Sequence, residues 1–138
     1  MILIVDDHQD SAKALCTLLN GSGHSCKWVS GGAEALGAIR QHPADQPLLV
    51  ILDDHMPQMS GIEVLQELRK DPKISHTPVV MLTAGFGTQR RDAAIGLGVI
   101  AWVLKGSYPS GVDGLIEQIG TWHARVSSAA QQRAPARQ

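Results

Sequence analysis

LLVILDDHMPQMSG, residues 48–61, joins an apolar run to a polar turn and indicates the kind of fold that the chain adopts. Residues 48–52 contain only Leu, Val and Ile, which is typical of a strand buried on both faces of a parallel sheet. The run stops at two adjacent carboxylates, Asp53 and Asp54, which are followed by His55 and a Met-Pro turn. A buried strand that ends in two acids raises the question of which acid, if either, is a chemical group.

Four other stretches predict strands, and helical patterns lie between them. Three are apolar runs and the fourth, weaker run alternates in polarity like a strand near an edge; they cover residues 2–5, 79–82, 99–104 and 24–30 respectively. Apolar residues at helical spacing follow Asp10 and recur over residues 32–41, 62–68 and 112–122, whereas residues 88–98 make a poor helix. Because strand and helix alternate five times, parallel βαβ units with right-handed crossovers are predicted.

Length, charge and cysteine content exclude several classes of protein. A chain of 138 residues is sufficient for one domain, which we expect over residues 1–126, with a disordered tail over 127–138 that has no large apolar residue. The net charge of −1 offers no basic field for direct binding of nucleic acid. Cys16 and Cys26 have no metal-ligand spacing, and no signal peptide or membrane-spanning run is visible. We therefore expect a cytoplasmic protein with reduced thiols and no membrane insertion.

Polar side chains of chemical interest follow the ends of the predicted strands. They are Asp6 and Asp7 after the first strand, Asp53 and Asp54 after the third, Thr83 after the fourth and Lys105 after the fifth. In an open parallel α/β sheet, ligands bind at the carboxyl ends of the strands. If the first and third strands are neighbours, three or more carboxylates meet there, and two charges about 4 Å apart repel by about 4 kcal/mol at an effective dielectric constant near 20. Such a cluster must take up protons or hold a cation.

A magnesium ion is the cation that this set of side chains favours. Hard oxygen ligands with room for water are typical of Mg²⁺ sites. Mg²⁺ beside a free carboxylate, a hydroxyl and a lysine makes a phosphoryl-transfer site, in which Lys105 would neutralise phosphoryl oxygens and Thr83 would donate a hydrogen bond. A carboxylate could itself be the nucleophile and form an aspartyl-phosphate.

Four motifs in this order and spacing resemble those of a known family. They are VDD (5–7), LDDHMPQMSG (52–61), LTA (82–84) and VLK (103–105). Over about residues 1–126 the chain resembles the receiver domain of bacterial two-component response regulators, in particular a single-domain receiver like the chemotaxis regulators. The resemblance implies an α/β fold: a flavodoxin-like, doubly wound (βα)5 sandwich whose five-stranded parallel sheet has the order 2-1-3-4-5.

The resemblance also implies a role for each matching residue. The phosphoacceptor of the family lies four residues before the proline of the Met-Pro turn, which with Pro57 makes it Asp53. We expect Asp54 to be a solvated neighbour rather than a ligand. Thr83 matches the switch hydroxyl, and Lys105 matches the lysine that pairs with the phosphate. The implied ligands of Mg²⁺, or of Mn²⁺ in its place, are Asp6, Asp7, Asp53 and the backbone carbonyl of His55.

Three positions depart from the family's pattern. Lys105 is followed by Gly106 where the family has a proline after a cis bond, and because a cis bond before another residue costs about 2.5–4 kcal/mol, a different loop is predicted. Trp102 stands where the family usually has a switching Tyr or Phe. Residues 98–101 are apolar where acids often occur, so the surface there should bind partners more strongly. The predicted partner face consists of Ile100, Trp102, Arg90 and Arg91, the two arginines otherwise being a solvated helix face.

Two residues lie where family members tune the attack of water on the phosphate. These are His55, two residues after Asp53, and Gly85, two residues after Thr83. Because Gly85 has no side chain to shield the phosphate, the predicted lifetime of the phosphorylated form is not unusually long.

The sequence thus predicts a stand-alone phosphoacceptor receiver rather than a conventional enzyme. Its expected partners are a histidine kinase or histidine phosphotransfer protein and a downstream protein effector. Two other classes stay open: a degenerate receiver that binds proteins without phosphorylation, and a small metal-dependent phosphatase. The degenerate reading draws on Gly106 and Trp102, and the phosphatase reading is weakened by the absence of a separate nucleophile or cap.

Overall fold

The computed structural model describes residues 1–84, 88–106 and 111–133. Strands and helices alternate along the chain, as the sequence predicts. The elements are β1 (Ile2–Val5), α1 (Gln9–Gly21), β2 (Cys26–Val29), α2 (Gly32–Gln41), β3 (Leu49–Leu52), α3 (Gly61–Lys70), β4 (Val79–Thr83), α4 (Thr88–Gly96), β5 (Ala101–Leu104) and α5 (Gly111–Arg133).

The five strands form one parallel sheet in the order β2-β1-β3-β4-β5. The register places Val5 beside Leu52, so that β1 and β3 end at the same edge of the sheet. The order reverses between β1 and β3, which makes this edge the switch point of a doubly wound fold. The predicted fold class is confirmed, as is the place of the weaker strand β2 at an edge of the sheet.

The apolar strands are buried on both faces because each face is covered by helices. Successive strand residues point to opposite faces. Leu3, Val50 and Met81 belong to a cluster with α2, α3 and α4. Ile4 and Ile51 belong to a second cluster with α1 and α5. Each fully buried Leu or Ile side chain contributes about 1.5–3 kcal/mol of transfer free energy, so these two clusters hold the sheet between its helical layers.

The helix α4 forms although its sequence is a poor helical pattern. Its amphipathic signal is weak, and Ala94 is its one residue in the buried clusters of the described chain. Leu97 and Val99, which follow the helix, pack partly against the same cluster. Arg90 donates a hydrogen bond to the carboxylate of Asp54, two residues after the end of β3. Tertiary contacts therefore place this helix more than its own helical propensity does.

The last helix extends beyond the domain boundary expected at residue 126. Helix α5 continues to Arg133, into the stretch 127–138 for which the sequence predicts a disordered tail. Val126 is buried, and the Ser127 hydroxyl donates to the carbonyl oxygen of His123 at 2.9 Å, which continues the helical turn. Ala and Gln are good helix formers, so they extend an existing helix without large apolar residues. The final residues, 134–138, lie outside the described part.

Within the described residues, none of the helices combines the length and the apolar character needed to cross a bilayer.

Candidate functional site

The carboxyl edge of the sheet brings charged side chains from three strand ends together. Asp6 follows β1 and Asp53 follows β3; their backbones remain paired to the neighbouring strands, with Asp6 N donating to Val29 O at 3.1 Å and Asp53 N donating to Val5 O at 2.9 Å. Lys105 follows β5 and its N–H donates to Thr83 O at 2.7 Å. Continued pairing past the strand ends holds these side chains at fixed positions above the edge.

Lys105 reaches across the edge to both acids. Its ammonium group donates to Asp6 Oδ2 at 2.6 Å and lies 3.7 Å from Asp53 Oδ1. Gly106 has a φ of 77°, a conformation that glycine adopts readily, so the chain turns after Lys105 without the proline of the family pattern. Residues 107–110, where the altered loop was predicted, lie outside the described part.

Burial and neighbouring charges perturb the carboxyl group of Asp53. Only 3% of this residue is exposed. Desolvation raises its pKa, the Lys105 ammonium opposes that rise, and the charges of Asp6 and Asp7 add to it, so that the pKa is about 6. A backbone hydrogen bond from His55 also lowers the value. Asp53 is therefore costly to ionise and is largely ionised above neutral pH.

The carboxyl group of Asp6 behaves in the opposite way. Burial alone would raise its pKa, but hydrogen bonds from Lys105 and from the backbone and ring of His8 outweigh that effect, and the pKa is lowered. The His8 N–H donates to Asp6 Oδ1 at 2.9 Å. The Asp6 backbone carbonyl accepts a 2.7 Å hydrogen bond from the indole of Trp28, which fixes the end of β1. Asp6 thus remains a carboxylate over a wider pH range than Asp53.

Two buried oxygens of the edge accept no hydrogen bond from the residues described. They are Asp53 Oδ2 and Asp7 Oδ1, although the ring Nδ1 of His8 lies 3.3 Å from the latter. A buried carboxylate oxygen without a partner costs free energy unless a cation or a proton satisfies it. Asp6, Asp7, His8 and Asp53 each offer one ligand atom, and these atoms lie within 4.8 Å of one another. The donor set is mainly hard oxygen and so fits a divalent cation such as Mg²⁺.

The second acid of the opening motif has a different environment. Because strand residues alternate, Asp53 lies on the side of α1 and α5, and Asp54 lies on the side of α3 and α4. Asp54 is 1% exposed and accepts hydrogen bonds from the Ile62 N–H at 3.2 Å and from Arg90 Nη2 at 2.8 Å. Burial would raise its pKa, but these partners outweigh burial and lower it. The prediction of a solvated Asp54 is therefore wrong, and so is that of a fully solvated Arg90.

The Met-Pro turn is packed tightly beneath the site. The Gly61 N–H donates to Asp54 O at 3.0 Å. A Cβ at Gly61 would contact the Asp53 carbonyl oxygen and lie 2.8 Å from Asp54 Cα, so only glycine fits. Ser60 and Glu63 then form a reciprocal capping box, at 3.2 and 3.3 Å, which starts α3. The turn and the first turn of α3 therefore support the backbone of Asp53.

Comparison with known proteins identifies the family. Residues 2–117 match the family model described as the response regulator receiver domain. The chain belongs to the response regulator receiver family. Its curated relatives include the DNA-binding response regulator MtrA of Mycolicibacterium smegmatis, 41% identical over 96 residues that cover 70% of this chain and 39% of MtrA. They also include the polar-differentiation response regulator DivK of Brucella anthropi, 34% identical over 83 residues that cover 60% of this chain and 65% of DivK.

A solved structure of a response regulator also has the same fold. The phosphorylated cyanobacterial phytochrome response regulator RcpA is 26% identical, with a TM-score of 0.75, over 89% of this chain and 92% of RcpA. Several curated relatives are longer proteins, and the receiver spans less than half of their length.

The receiver fold brings together the residues predicted for the metal and the phosphoryl group. Asp6, Asp7, Asp53 and Lys105 lie at one edge, and Thr83 is fully buried at the end of β4 beside Lys105. His55 is exposed after Asp53. Gly85, predicted to affect hydrolysis, lies outside the described residues.

The residues predicted for switching and partner binding are more dispersed. Trp102 is half-buried on the edge strand β5 and packs against the cluster under α4. Ile100 is 43% exposed, and Arg91 is exposed on α4. Arg90 forms an ion pair with Asp54, so a partner protein would have to break that pair to bind its guanidinium group.

Two contacts of the receiver site were not predicted from the sequence: those of His8 with the acidic pair, and that of Arg90, which was assigned to the partner face, with Asp54. His8 directly follows the acidic pair, and its adjacency to two metal-ligand candidates was a usable signal. Arg90 had no such signal, because its partner is 36 residues away in the sequence.

Proposed function

We propose that this chain is a phosphoacceptor receiver of a two-component or phosphorelay pathway, and that it accepts a phosphoryl group on Asp53. The observation that carries this proposal is the buried Asp53 carboxylate, whose Oδ2 accepts no hydrogen bond within the described part and whose Oδ1 lies 3.7 Å from the Lys105 ammonium. Its pKa of about 6 leaves it mostly ionised near pH 7.5, as a nucleophile must be.

The phosphoryl group would come from a phosphohistidine of a kinase or of a histidine phosphotransfer protein. An oxygen of Asp53 forms the new O–P bond while the P–N bond of the partner breaks, and the imidazole leaves with that electron pair. Asp6, Asp7, Asp53 and the His55 carbonyl would hold Mg²⁺ or Mn²⁺, which supplies charge neutralisation for the phosphoryl oxygens. Later, water attacks the phosphorus, the O–P bond to Asp53 breaks, and inorganic phosphate leaves as the carboxylate is restored. The chain would thus catalyse only its own phosphorylation and dephosphorylation.

Lys105 and Thr83 would recognise the new phosphoryl group. The Lys105 ammonium group is already within 3.7 Å of Asp53, and the added negative charge would draw it away from Asp6. The Thr83 hydroxyl would donate a hydrogen bond at the end of β4, and Trp102 would repack on the neighbouring strand. A shift in population of this kind changes the surface around Ile100 and Arg91, where a downstream protein would bind.

The family membership and the phosphorylated relative RcpA support this proposal. We propose a cytoplasmic location and an output through protein contacts, with no direct binding of nucleic acid by the receiver itself. MtrA, a DNA-binding response regulator, is a longer chain of which the receiver covers 39%.

Phosphorylation with a small donor tests the proposal. The protein is mixed with Mg²⁺ and acetyl phosphate, and intact mass is recorded for wild type, Asp53→Asn and Asp54→Asn, each checked by circular dichroism for folding. The expected result is one phosphoryl group on wild type and on Asp54→Asn, and none on Asp53→Asn. Addition of beryllofluoride should change the tryptophan fluorescence of wild type and of Asp54→Asn, and it should leave that of Asp53→Asn unchanged.

Three outcomes would contradict the assignment in different ways. Phosphoryl uptake by Asp53→Asn would move the acceptor elsewhere. No uptake by any variant would favour a receiver that only binds proteins. Repeated turnover on small phosphate esters would favour a phosphatase.

A further inference from the structure

His8 lies beside the acidic pair in a position that the family's metal ligands do not include. It precedes α1 as its N-cap residue, and its N–H donates to Asp6 Oδ1 at 2.9 Å. Its ring Nδ1 lies 3.2 Å from Asp6 Oδ1 and 3.3 Å from Asp7 Oδ1. The imidazole nitrogen thus faces the same carboxylate oxygens that would surround a cation.

These spacings fit the edges of a coordination polyhedron. With metal–ligand bonds of about 2.0–2.1 Å, neighbouring ligands of an octahedral ion lie about 3.0 Å apart, and those of a tetrahedral zinc ion about 3.3 Å apart. The observed 3.2 and 3.3 Å match such edges. The ligand atoms of Asp6, Asp7, His8 and Asp53 all lie within 4.8 Å, so a small contraction would bring them onto one ion.

The oxygens without partners indicate that the cluster is built for a ligand. Asp53 is 97% buried, since only 3% is exposed, and its Oδ2 accepts no hydrogen bond from the described residues. Asp7 Oδ1 is also buried and accepts no hydrogen bond from the described residues, although His8 Nδ1 lies 3.3 Å away. The His8 ring contacts Asp6 Oδ1 at 3.2 Å as a hydrogen-bond partner, which leaves Asp7 Oδ1 and Asp53 Oδ2 available to a cation.

We propose that His8 is a nitrogen ligand of the cation in the acidic pocket, and that the pocket therefore favours Mn²⁺ and heavier transition ions over Mg²⁺. The inference rests on the proposed metal-dependent function. Imidazole suits transition metals, whereas Mg²⁺ binds almost only oxygen and retains its waters. Asp6 Oδ2 stays paired with Lys105, whereas His8 Nδ1 would exchange its hydrogen bond to Asp6 Oδ1 for the cation and leave the ring proton on Nε2.

Substitution of His8 is suited to a test because the ring is not part of the core. Its side chain is 67% exposed, and within the described residues it makes no capping hydrogen bond to α1, so its loss removes only the ring contact with Asp6. His8→Ala and His8→Gln should therefore fold as wild type does. His76→Ala is the matched control, because His76 lies in the loop between α3 and β4, away from the carboxyl edge.

The test compares binding of Mg²⁺ and Mn²⁺ to tag-free protein by calorimetry, with pulsed electron paramagnetic resonance of bound Mn²⁺ to detect nitrogen. We expect directly bound nitrogen in wild type and in His76→Ala and its loss in both His8 variants. The Mn²⁺ affinity of His8→Ala should fall about tenfold or more, a loss of the size seen even for residues that only support a ligand. Its Mg²⁺ affinity should change less than about twofold, since Mg²⁺ makes little use of imidazole.

The outcomes separate this inference from the function on which it rests. If wild type binds both ions and no bound nitrogen is detected, the role of His8 alone is overturned. The same follows if His8→Ala keeps the wild-type preference for Mn²⁺ over Mg²⁺. Absence of binding to wild type and Asp53→Asn alike overturns the metal site itself. Loss of binding in Asp53→Asn with loss of nitrogen in the His8 variants supports both.

Discussion

Arg90 of α4 forms an ion pair with the buried carboxylate of Asp54, the residue directly after the phosphoacceptor candidate. The Arg90 Nη2 donates to Asp54 Oδ1 at 2.8 Å and the Nε donates to Oδ2. The two residues join the end of β3 to a helix that has little core of its own. A chemical change at Asp53 would therefore occur next to Asp54, whose ion pair with Arg90 holds α4 in place.

Removal of the arginine should destabilise the fold. We predict that Arg90→Met lowers the free energy of unfolding by about 2 kcal/mol, because Asp54 is left buried without its charge partner; the partial exposure of the arginine keeps the loss below that of a fully buried pair. Urea unfolding at pH 7.5 measures the change. Arg91→Met, one residue along the same helix, should change stability by less than about 0.5 kcal/mol.

The pair itself is tested with a double variant and with pH. Asp54→Asn combined with Arg90→Met should recover much of the loss, since no buried charge remains and the amide oxygen can still accept from the Ile62 N–H. Because the native pKa of Asp54 is lowered, its stabilisation is present above the unfolded pKa near 4 and is lost as pH falls through the native value. Equal losses for Arg90→Met and Arg91→Met would contradict the ion pair.

The carboxyl group of Asp53 should reduce stability above neutral pH when no metal is present. Its native pKa of about 6 exceeds the unfolded value of 3.8, so ionisation costs free energy as pH rises from about 4 to above 6. Asp53→Asn should therefore be more stable than wild type by roughly 2–3 kcal/mol at pH 8, with almost no gain at pH 4. Denaturant unfolding with a chelator measures both.

An exposed acid provides the control for that pH dependence. Asp45→Asn, in the loop before β3, should show no comparable gain. Mg²⁺ should stabilise wild type at pH 8 more than Asp53→Asn. A gain for Asp53→Asn that is the same at both pH values would contradict the raised pKa.

Backbone strain in the Met-Pro turn should be relieved by glycine. Gln58 has a φ of 68°, and the Met59 N–H donates to Pro57 O at 2.7 Å, which closes a strained γ-turn. Gln58→Gly should stabilise the protein by about 0.5–1 kcal/mol, because the cost of a positive φ exceeds the added entropy of the unfolded chain. In contrast, Gln66→Gly, within α3, should destabilise by about 1 kcal/mol. Thermal unfolding compares the two.

Close packing at Gly61 should make it intolerant of a methyl group. Gly61→Ala places a Cβ against the backbone of Asp53 and Asp54 and should destabilise by about 1–3 kcal/mol while weakening Mg²⁺ binding. Gly37→Ala, within α2 and with open space around it, should stabilise by about 0.5–1 kcal/mol. Similar stabilities for the two alanine variants would show that the turn can relax.

The predictable part of the fold came from short-range patterns. The apolar runs that became β1, β3 and β4 stand out because strands covered on both faces carry few polar residues, and Asp6, Asp53 and Lys105 follow strand ends that must meet at one edge. The resemblance of the motifs supplied the strand order. The helix α4 and the last turns of α5 were read less well, because weak patterns form helices when neighbouring elements support them.

The surroundings of the two adjacent acids required the folded structure. Alternation along β3 sends Asp53 and Asp54 to opposite sides, but the partner on each side is remote in sequence: Lys105 for one and Arg90 for the other. The ring of His8 contacts its sequence neighbours Asp6 and Asp7, yet its direction toward them depends on a rotamer that spacing does not specify.

The amino-acid sequence by itself determined the alternating α/β architecture, the edge at which the polar residues gather and the family motifs, since these depend on periodicity and on residues close together in the chain. Tertiary structure alone decided that Asp54 is buried and paired and that Lys105 reaches Asp6 and Asp53 despite Gly106. It also decided that two buried carboxylate oxygens accept no hydrogen bond from the described part of the chain. Those properties depend on distances between segments far apart in sequence, and only packing of the helices on the sheet brings such segments together.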